Sequence, residues 1–92
     1  MHSLIIGGGK IGYYLTKVLI EKGYDVSVVE KEKDACQKFA NDLNITVIKG
    51  DGTSVSVLEQ AGVADADSVI AVTGRDEDNL VACQLAKRLY QV

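Results

Sequence analysis

The sequence has 92 residues, enough for one small domain, and 47% of them are hydrophobic, which excludes a disordered chain. The formal net charge is −3 and the pI is about 5.0, and no basic cluster offers the positive surface that nucleic-acid binding requires. No apolar run approaches the ~20 residues of a membrane-spanning helix and no signal-peptide pattern is present, so we expect a cytoplasmic chain that is not itself inserted in a membrane.

Four short apolar runs alternate with segments of helical periodicity. In chain order, the predicted strands span residues 4–6, 26–29, 45–48 and 68–72. After each strand a helix is predicted from apolar residues at helical spacing, at 11, 15, 18 and 19; 36, 39, 40 and 43; 55, 58 and 61; and 82, 85, 86 and 89. Strands that are apolar on both faces and alternate with helices indicate a parallel sheet covered on two sides. No linker interrupts the pattern, and residues 1–92 are predicted to form one domain.

Residue types that favour helix ends lie where the predicted helices begin and end. Gly23 and Gly62 suit left-handed positions just past the first and third helices, and Thr53 or Ser54 suits the cap that starts the third. The last helix is predicted to begin as early as Asp76, because acidic residues in a first turn complement the helix dipole.

The two cysteines, Cys36 and Cys83, have no close spacing, and each falls among the apolar residues of a predicted helix. Both are therefore predicted to be small, buried core residues. The chain has one histidine, His2, and no Cys-x-x-Cys pair, so we expect neither a metal site nor a disulfide.

A glycine-rich turn joins the first predicted strand to the first helix. Residues 7–12 match G-x-G-x-x-G, a pattern that gains meaning when a strand precedes it and a helix follows, as here. Gly7 permits the tight turn, Gly9 lets the backbone approach a pyrophosphate, and Gly12 lets the helix pack close to the sheet. Backbone amides at the helix start then point at the phosphates. The alternative is a purely structural turn, and Lys10 is interpreted as a solvated side chain that adds positive potential.

An acidic residue follows the second strand at the spacing expected for ribose binding. Glu30 lies 18 residues after Gly12, close to the ~20 residues expected for a carboxylate that accepts hydrogen bonds from an adenosine ribose. A carboxylate at this position repels a 2′-phosphate, so NADP is expected to bind poorly. The alternative is a solvated charge at a strand end. Lys31 either lines the adenine side or is a solvated lysine.

Two further polar segments follow the third and fourth strands, at the edge of a parallel sheet where ligands bind. In residues 51–53, Asp51 either accepts a hydrogen bond from the adenine amino group or holds the loop, and the alternative is a glycine turn with a helix cap. Thr73 and Gly74 are positioned to lie against the ribose or pyrophosphate. Arg75 reaches a phosphate, contacts a partner chain, or is simply an exposed arginine.

Five motifs stand in order along the chain: GGGKIG at 7–12, VVE at 28–30, GDGT at 50–53, VIAVT at 69–73 and DEDNL at 76–80. Together they resemble the TrkA N-terminal domain, also called the KTN or RCK-type domain, and the resemblance covers essentially the whole chain. Residues 64–67 and 73–86 carry it more specifically than the glycine-rich turn, which many dehydrogenases share.

The resemblance implies a Rossmann-like, doubly wound parallel sheet of three αβα layers, here with about four strands and four helices. Domains of that family continue for two more strand units, so the chain is expected to be a form shortened at its C-terminus. The resemblance also implies a regulatory sensor that binds NAD(H), or alternatively ATP and ADP. Its expected partners are further copies of itself, in a dimer or larger ring, and a membrane-embedded potassium transporter or channel subunit that holds it at the inner face of the membrane.

The same resemblance implies roles for individual residues. The turn at 7–11 holds the pyrophosphate, Glu30 binds the adenosine ribose, and Asp51 with Thr73 and Gly74 lines the rest of the cleft. The full set of candidate cofactor-binding residues is Gly7, Gly8, Gly9, Lys10, Ile11, Gly12, Glu30, Lys31, Asp51, Gly52, Thr53, Thr73 and Gly74.

Three functions are compatible with these motifs. The first is a non-catalytic regulatory domain of potassium transport, which the later motifs and the lack of a catalytic constellation favour. The second is the cofactor domain of an NAD-dependent dehydrogenase separated from its substrate domain, which the glycine turn and Glu30 fit equally well. The third is an interaction module whose cleft is vestigial.

Overall fold

The computed structural model describes residues 1–7 and 9–92, which form a four-stranded parallel sheet with helices on both faces. The strands are β1 His2–Ile6, β2 Asp25–Glu30, β3 Thr46–Lys49 and β4 Ser68–Ala71. The α-helices are α1 Lys10–Glu21, α2 Lys33–Asp42, α3 Val55–Gln60 and α4 Asp76–Tyr90, and a 3₁₀ helix spans Val63–Asp65. The strand order in the sheet is β3-β2-β1-β4, and each neighbouring pair is parallel.

The sheet buries apolar side chains against helices on both faces, which makes the fold a three-layer, doubly wound Rossmann-like domain. On one face, Ile5 and Val28 pack with Phe39 of α2 and with residues of α1. On the other, Leu4 and Ile6 pack with Leu58 of α3, with Ala61 just after that helix, and with Ala82 and Ala86 of α4. Successive side chains of a strand alternate between faces, so β1 and β2 contribute to both cores.

Each predicted strand and helix is present. Gly23 and Gly62 both have positive φ, at 86° and 85°, as predicted for residues just past a helix end. The Ser54 hydroxyl accepts a hydrogen bond from the Val57 amide and caps α3. The last helix begins at Asp76. The 3₁₀ helix at 63–65 was not predicted, because a single turn leaves no periodic pattern.

Five side chains predicted to lie on the buried faces of the helices are exposed instead: Ile11, Ala40, Val55, Cys83 and Leu89. Cys83 is exposed, because α4 meets the sheet through Ala82 and Ala86 and Cys83 points away from that face. Leu89 is 56% exposed, and the core near the end of α4 is instead covered by Tyr90 and Val92.

At the start of α1, Ile11 is 72% exposed. The buried residues of α1 are Gly12 and Thr16, and Leu15 and Leu19 pack partly buried against the sheet as predicted, so Ile11 alone of the predicted face is exposed. Cys36 is half-buried. Within the described part of the chain, no helix combines the length and apolar character needed to cross a membrane.

Candidate functional site

A cleft of about 830 Å³ lies beyond the carboxyl ends of the four strands. It is lined by every described residue of the predicted set except Gly12: Gly7, Gly9, Lys10, Ile11, Glu30, Lys31, Asp51, Gly52, Thr53, Thr73 and Gly74. Gly8 lies outside the described residues. The other lining residues are Ile6, Val29, Glu32, Gly50, Val72, Arg75 and Asp78. Segments far apart in the sequence meet here because the carboxyl ends of parallel strands share one edge of the sheet.

Gly7 forms the turn at the end of β1. Its φ is +113°, and its amide donates a hydrogen bond of 2.8 Å to the Val29 carbonyl of the neighbouring strand. A Cβ at this position would lie 2.8 Å from the Thr73 nitrogen and 2.9 Å from the Val72 oxygen. Glycine is therefore required both by the backbone conformation and by the close approach of the segment after β4.

Gly9 is the N-cap of α1 and faces open space. Its φ is −69°, and among the described residues no atom beyond its chain neighbours lies within 4 Å of where its Cβ would be. The first amides of an α-helix have no partner within the helix, and Lys10 and Ile11, which begin α1, line the cleft. The exposed turn therefore offers donors and the positive end of a helix dipole to an anion.

Two other glycines allow close packing around this turn. Gly12 is buried and does not line the cleft; a Cβ there would overlap the Gly7 carbonyl oxygen and lie 3.4 Å from the Val72 side chain. It therefore brings α1 close to the sheet rather than contacting a ligand. Gly52 lines the cleft, and a Cβ there would overlap the Ile6 side chain.

Glu30 ends β2 at the cleft wall and is half-buried. Its Oε2 accepts a hydrogen bond of 3.0 Å from the Glu32 amide, which orients the carboxylate. The Cys36 thiol donates to the Glu30 carbonyl at 3.4 Å, and burial, reinforced by the Glu30 charge, raises the pKa of this thiol.

Asp51 holds the loop after β3. Its Oδ1 accepts hydrogen bonds from the Thr53 amide at 2.9 Å and from the Thr53 hydroxyl at 2.7 Å, and its Oδ2 lies 3.8 Å from the Lys31 ammonium. The two Thr53 hydrogen bonds, followed by the charges of Lys31 and Arg75, lower the pKa of Asp51. The side chain is thus ionised at neutral pH, with one oxygen engaged by the loop and the other facing Lys31.

The segment after β4 is held by a residue that was not predicted. The Asn79 Oδ1 accepts hydrogen bonds from the Thr73 amide at 2.9 Å and the Thr73 hydroxyl at 2.5 Å, and its Nδ2 donates to the Thr73 carbonyl at 3.2 Å. The hydroxyl also accepts from the Arg75 amide at 3.2 Å. Thr73 is therefore fixed beside Gly7 by the start of α4. An asparagine near the start of a helix, six residues after the threonine of a Thr-Gly pair, is the sequence signal that points to this arrangement.

Arg75 reaches the cleft from the N-cap of α4. Its Nη2 lies 2.8 Å and its Nε 3.0 Å from the Glu77 Oε1, and its Nε lies 3.5 Å from the Asp78 Oδ2. The Glu77 carboxylate accepts hydrogen bonds from its own backbone amide and from Arg75, and these lower its pKa.

A parallel sheet ordered β3-β2-β1-β4, with a glycine turn after β1 and a cleft at the strand ends, defines a Rossmann-type fold. The chain belongs to the TrkA-N domain family, whose model matches residues 3–92.

The curated relatives that the chain matches carry names consistent with the TrkA-N family. The chain is 41% identical over 87 residues to a Trk system potassium uptake protein TrkA homolog of Methanothermobacter thermautotrophicus, covering 95% of this chain and 40% of the relative. It is 38% identical over 91 residues to the Trk system potassium uptake protein TrkA of Halomonas elongata, covering 99% of this chain and 20% of that protein. The chain therefore spans less than half the length of these relatives.

Solved structures show the same fold. The C-terminal domain of Kef from Shewanella denitrificans, in an AMP-bound form, superposes with a TM-score of 0.82 at 23% identity over 99% of this chain and 55% of that one. The anaerobilin reductase ChuY of Escherichia coli superposes with a TM-score of 0.75 at 22% identity over 100% of this chain and 47% of that one.

Proposed function

We propose that this chain is the nucleotide-binding regulatory domain of a potassium uptake system, in which NAD(H) binding modulates ion transport. The observation that carries the proposal is the cleft itself, which brings the glycine turn, Glu30, Asp51 and Thr73 to one edge of the sheet. Membership of the TrkA-N family supports it, as do relatives named as potassium uptake proteins.

In this proposal the pyrophosphate of the nucleotide lies over the turn at Gly7 and Gly9. Glycine without neighbours at position 9 leaves room for phosphate oxygens, and the amides at the start of α1 supply the donors. Glu30 accepts hydrogen bonds from the adenosine ribose, and Asp51 and Thr73 line the remaining wall. Since two phosphates and an adenosine ribose are also present in ADP and ATP, these nucleotides are the alternative ligands.

Regulation follows if the nucleotide binds one arrangement of the assembled protein more tightly than another, because its differential affinity then shifts the equilibrium between them. We place residues 1–92 as one domain of such an assembly, in a dimer or higher ring on the cytoplasmic side of a membrane-embedded potassium transporter or channel subunit.

Calorimetric titration of the chain with NAD⁺, NADH, ATP and ADP tests the proposal. Saturable binding with a stoichiometry near one per chain is expected for at least one of them, and the ranking of affinities identifies the ligand. No binding of any of the four at millimolar concentration contradicts the proposal. The control ligand is inorganic pyrophosphate, which shows how much of the affinity is independent of the adenosine.

The second candidate function is the cofactor domain of an NAD-dependent dehydrogenase. The glycine turn and Glu30 are positioned as that function requires, and reductases share the fold. A dehydrogenase needs an acid or base beside the nicotinamide. The single histidine, His2, begins β1 at the opposite edge of the sheet from the cleft, with its Nε2 2.9 Å from the Ser27 hydroxyl. A substrate domain that supplies such a group to this cleft would favour this candidate over the regulatory one.

A further inference from the structure

We propose that Arg75 reads the phosphate charge of the bound nucleotide by exchanging its ion pairs with Glu77 and Asp78 for hydrogen bonds to the phosphates. This inference rests on the proposed function, because it concerns the ligand of the same cleft. It assigns to Arg75 the preference for nucleotides over nucleosides.

The first argument is position. Arg75 lines the cleft two residues beyond Thr73, whose backbone nitrogen would lie 2.8 Å from a Cβ on Gly7. The segment that carries Arg75 therefore passes directly beside the turn where the phosphates are proposed to lie. The guanidinium also contributes to lowering the pKa of Asp51, a residue on the loop after β3, so its field extends across the cleft.

The second argument is charge. The cleft is lined by three cations, Lys10, Lys31 and Arg75, and by four carboxylates, those of Glu30, Glu32, Asp51 and Asp78. A pyrophosphate adds further negative charge to a site that already has more anions than cations. Lys31 is directed at Asp51, 3.8 Å away. A cation that moves toward the phosphates on binding would offset this excess.

The third argument is that the shorter of the two ion pairs that Arg75 makes, the one with Glu77, is weak enough to exchange; the pair with Asp78, whose side chain is 27% exposed, is longer, at 3.5 Å. The side chains of Arg75 and Glu77 are each 65% exposed, and exposed ion pairs contribute little because water screens them. A guanidinium bonds two phosphate oxygens at once, in a planar geometry that it shares with carboxylate recognition. Glu77 therefore competes with the phosphate for the same donors, Nε and Nη2.

Calorimetric titration of adenosine, AMP, ADP and NAD⁺ against paired variants tests the inference. Arg75→Gln is expected to lower the affinity for ADP and NAD⁺ by about tenfold, the scale of a hydrogen bond to a charged group. The affinity for adenosine should change by less than about twofold. Glu77→Gln removes the carboxylate that competes for Arg75. It is expected to raise the affinity for ADP and NAD⁺ by roughly two- to fivefold, again with little effect on the affinity for adenosine. Matched controls are Arg88→Gln and Glu21→Gln, which remove the same charges from exposed positions outside the cleft.

Each outcome has a defined meaning. If wild type binds ADP or NAD⁺ but Arg75→Gln binds them equally well, the inference fails and the proposed function stands. An equal loss for adenosine and ADP shows that Arg75 supports the cleft without reading phosphate, which also overturns it. If Glu77→Gln does not raise the affinity for the phosphorylated ligands, Arg75 does not exchange its ion pair with Glu77 for the phosphates, and the inference is overturned. If wild type binds none of the ligands, the proposed function fails together with this inference.

Discussion

At the scale of single residues, Gly7 and Gly9 lie two positions apart, but a side chain added at each would meet different surroundings. Gly7 has a φ of +113° and the segment after β4 packs against it, so its lack of a side chain serves the fold. Gly9 has an ordinary φ of −69°, and a Cβ there would lie in space where it meets no atom of the described residues beyond its chain neighbours, so no contact within the described part of the chain requires glycine there. If nucleotide phosphates occupy that space, Gly9 serves the ligand instead.

Alanine substitutions separate these two roles. Gly7→Ala is expected to lower the free energy of unfolding by about 3 kcal/mol, since it combines an unfavourable backbone conformation with overlap of Val72 and Thr73. Gly9→Ala is expected to change that free energy by less than about 0.5 kcal/mol. Its affinity for ADP or NAD⁺ should nevertheless fall at least tenfold, because the methyl group occupies the space proposed for phosphate oxygens. Urea denaturation and calorimetry measure the two effects.

An unchanged affinity of Gly9→Ala would contradict a phosphate over this turn and would favour the interaction-module interpretation of the chain. Gly23→Ala provides a control for backbone strain alone, because its φ is +86° and its Cβ would meet no atom within 4 Å. It should destabilise the fold by only about 1 kcal/mol and leave nucleotide affinity unchanged.

The candidate site was predictable where sequence spacing alone decides which residues meet. The glycine turn and Glu30 follow directly from the ends of the first two strands. The clamp on Thr73 by Asn79 was missed, because it depends on how the start of α4 folds back onto the loop before it. The facing of Lys31 and Asp51 was missed for a similar reason, since it depends on β2 and β3 being neighbours in register.

At the scale of elements, the connection from β3 to α3 is a short turn held by one carboxylate. Asp51 bonds the amide and the hydroxyl of Thr53, and Ser54 then caps α3. The bonds to the charged form lower the pKa of Asp51, so the folded pKa lies below the ordinary value of 3.8. The stabilisation is therefore fully present above that ordinary value and is lost as pH falls through the folded pKa.

Thr53→Val removes the hydroxyl bond but keeps the amide bond of this turn. The pKa of Asp51 is expected to rise toward its ordinary value, because one of the groups that stabilises the carboxylate is gone. The loss of stability relative to wild type should then be greatest near neutral pH and shrink in acid. Carbon-detected NMR titration of the Asp51 carboxyl measures the pKa, and urea denaturation at pH 7 and pH 3 measures the stability.

A pKa of Asp51 that does not move in Thr53→Val would show that the hydroxyl bond is not made in solution. Ser56→Ala removes a hydroxyl from the exposed face of α3 and serves as the matched control. It should alter neither the pKa of Asp51 nor the pH dependence of the protein's stability.

Element positions were well predicted, whereas burial on the helices was not. Strand runs and helix caps are local signals, so the four strands and the start of α4 at Asp76 agree with prediction. Which helix face packs against the sheet is a tertiary property. In α1 the glycine and threonine at positions 12 and 16, rather than the larger Ile11, contact the sheet, because the helix must approach the turn closely. Small residues in close contact carry no hydrophobic signal, which explains the error.

At the scale of the whole molecule, the cleft joins segments from both halves of the chain. Its walls come from the ends of β1 and β2, whose helices cover one face of the sheet, and from the ends of β3 and β4, whose helices cover the other. A ligand that contacts all four strand ends binds only the folded chain. It therefore stabilises the fold as a whole, by about 2.7 kcal/mol when its concentration is 100 times its Kd.

This linkage turns thermal unfolding into a test of Glu30. At such a concentration, NAD⁺ is expected to raise the Tm by on the order of 10 °C in a domain of this size. The 2′-phosphate of NADP⁺ would lie against the Glu30 carboxylate, where like charges repel, so NADP⁺ at the same concentration should raise the Tm by at most about half as much. Glu30→Gln should lower the affinity for NAD⁺ and make the Tm shifts produced by NAD⁺ and NADP⁺ more nearly equal. The control Glu21→Gln, at the far end of α1, should leave the difference between the two Tm shifts unchanged. Equal shifts for NAD⁺ and NADP⁺ in wild type would place the ribose away from Glu30 and would require a different orientation of the nucleotide in the cleft.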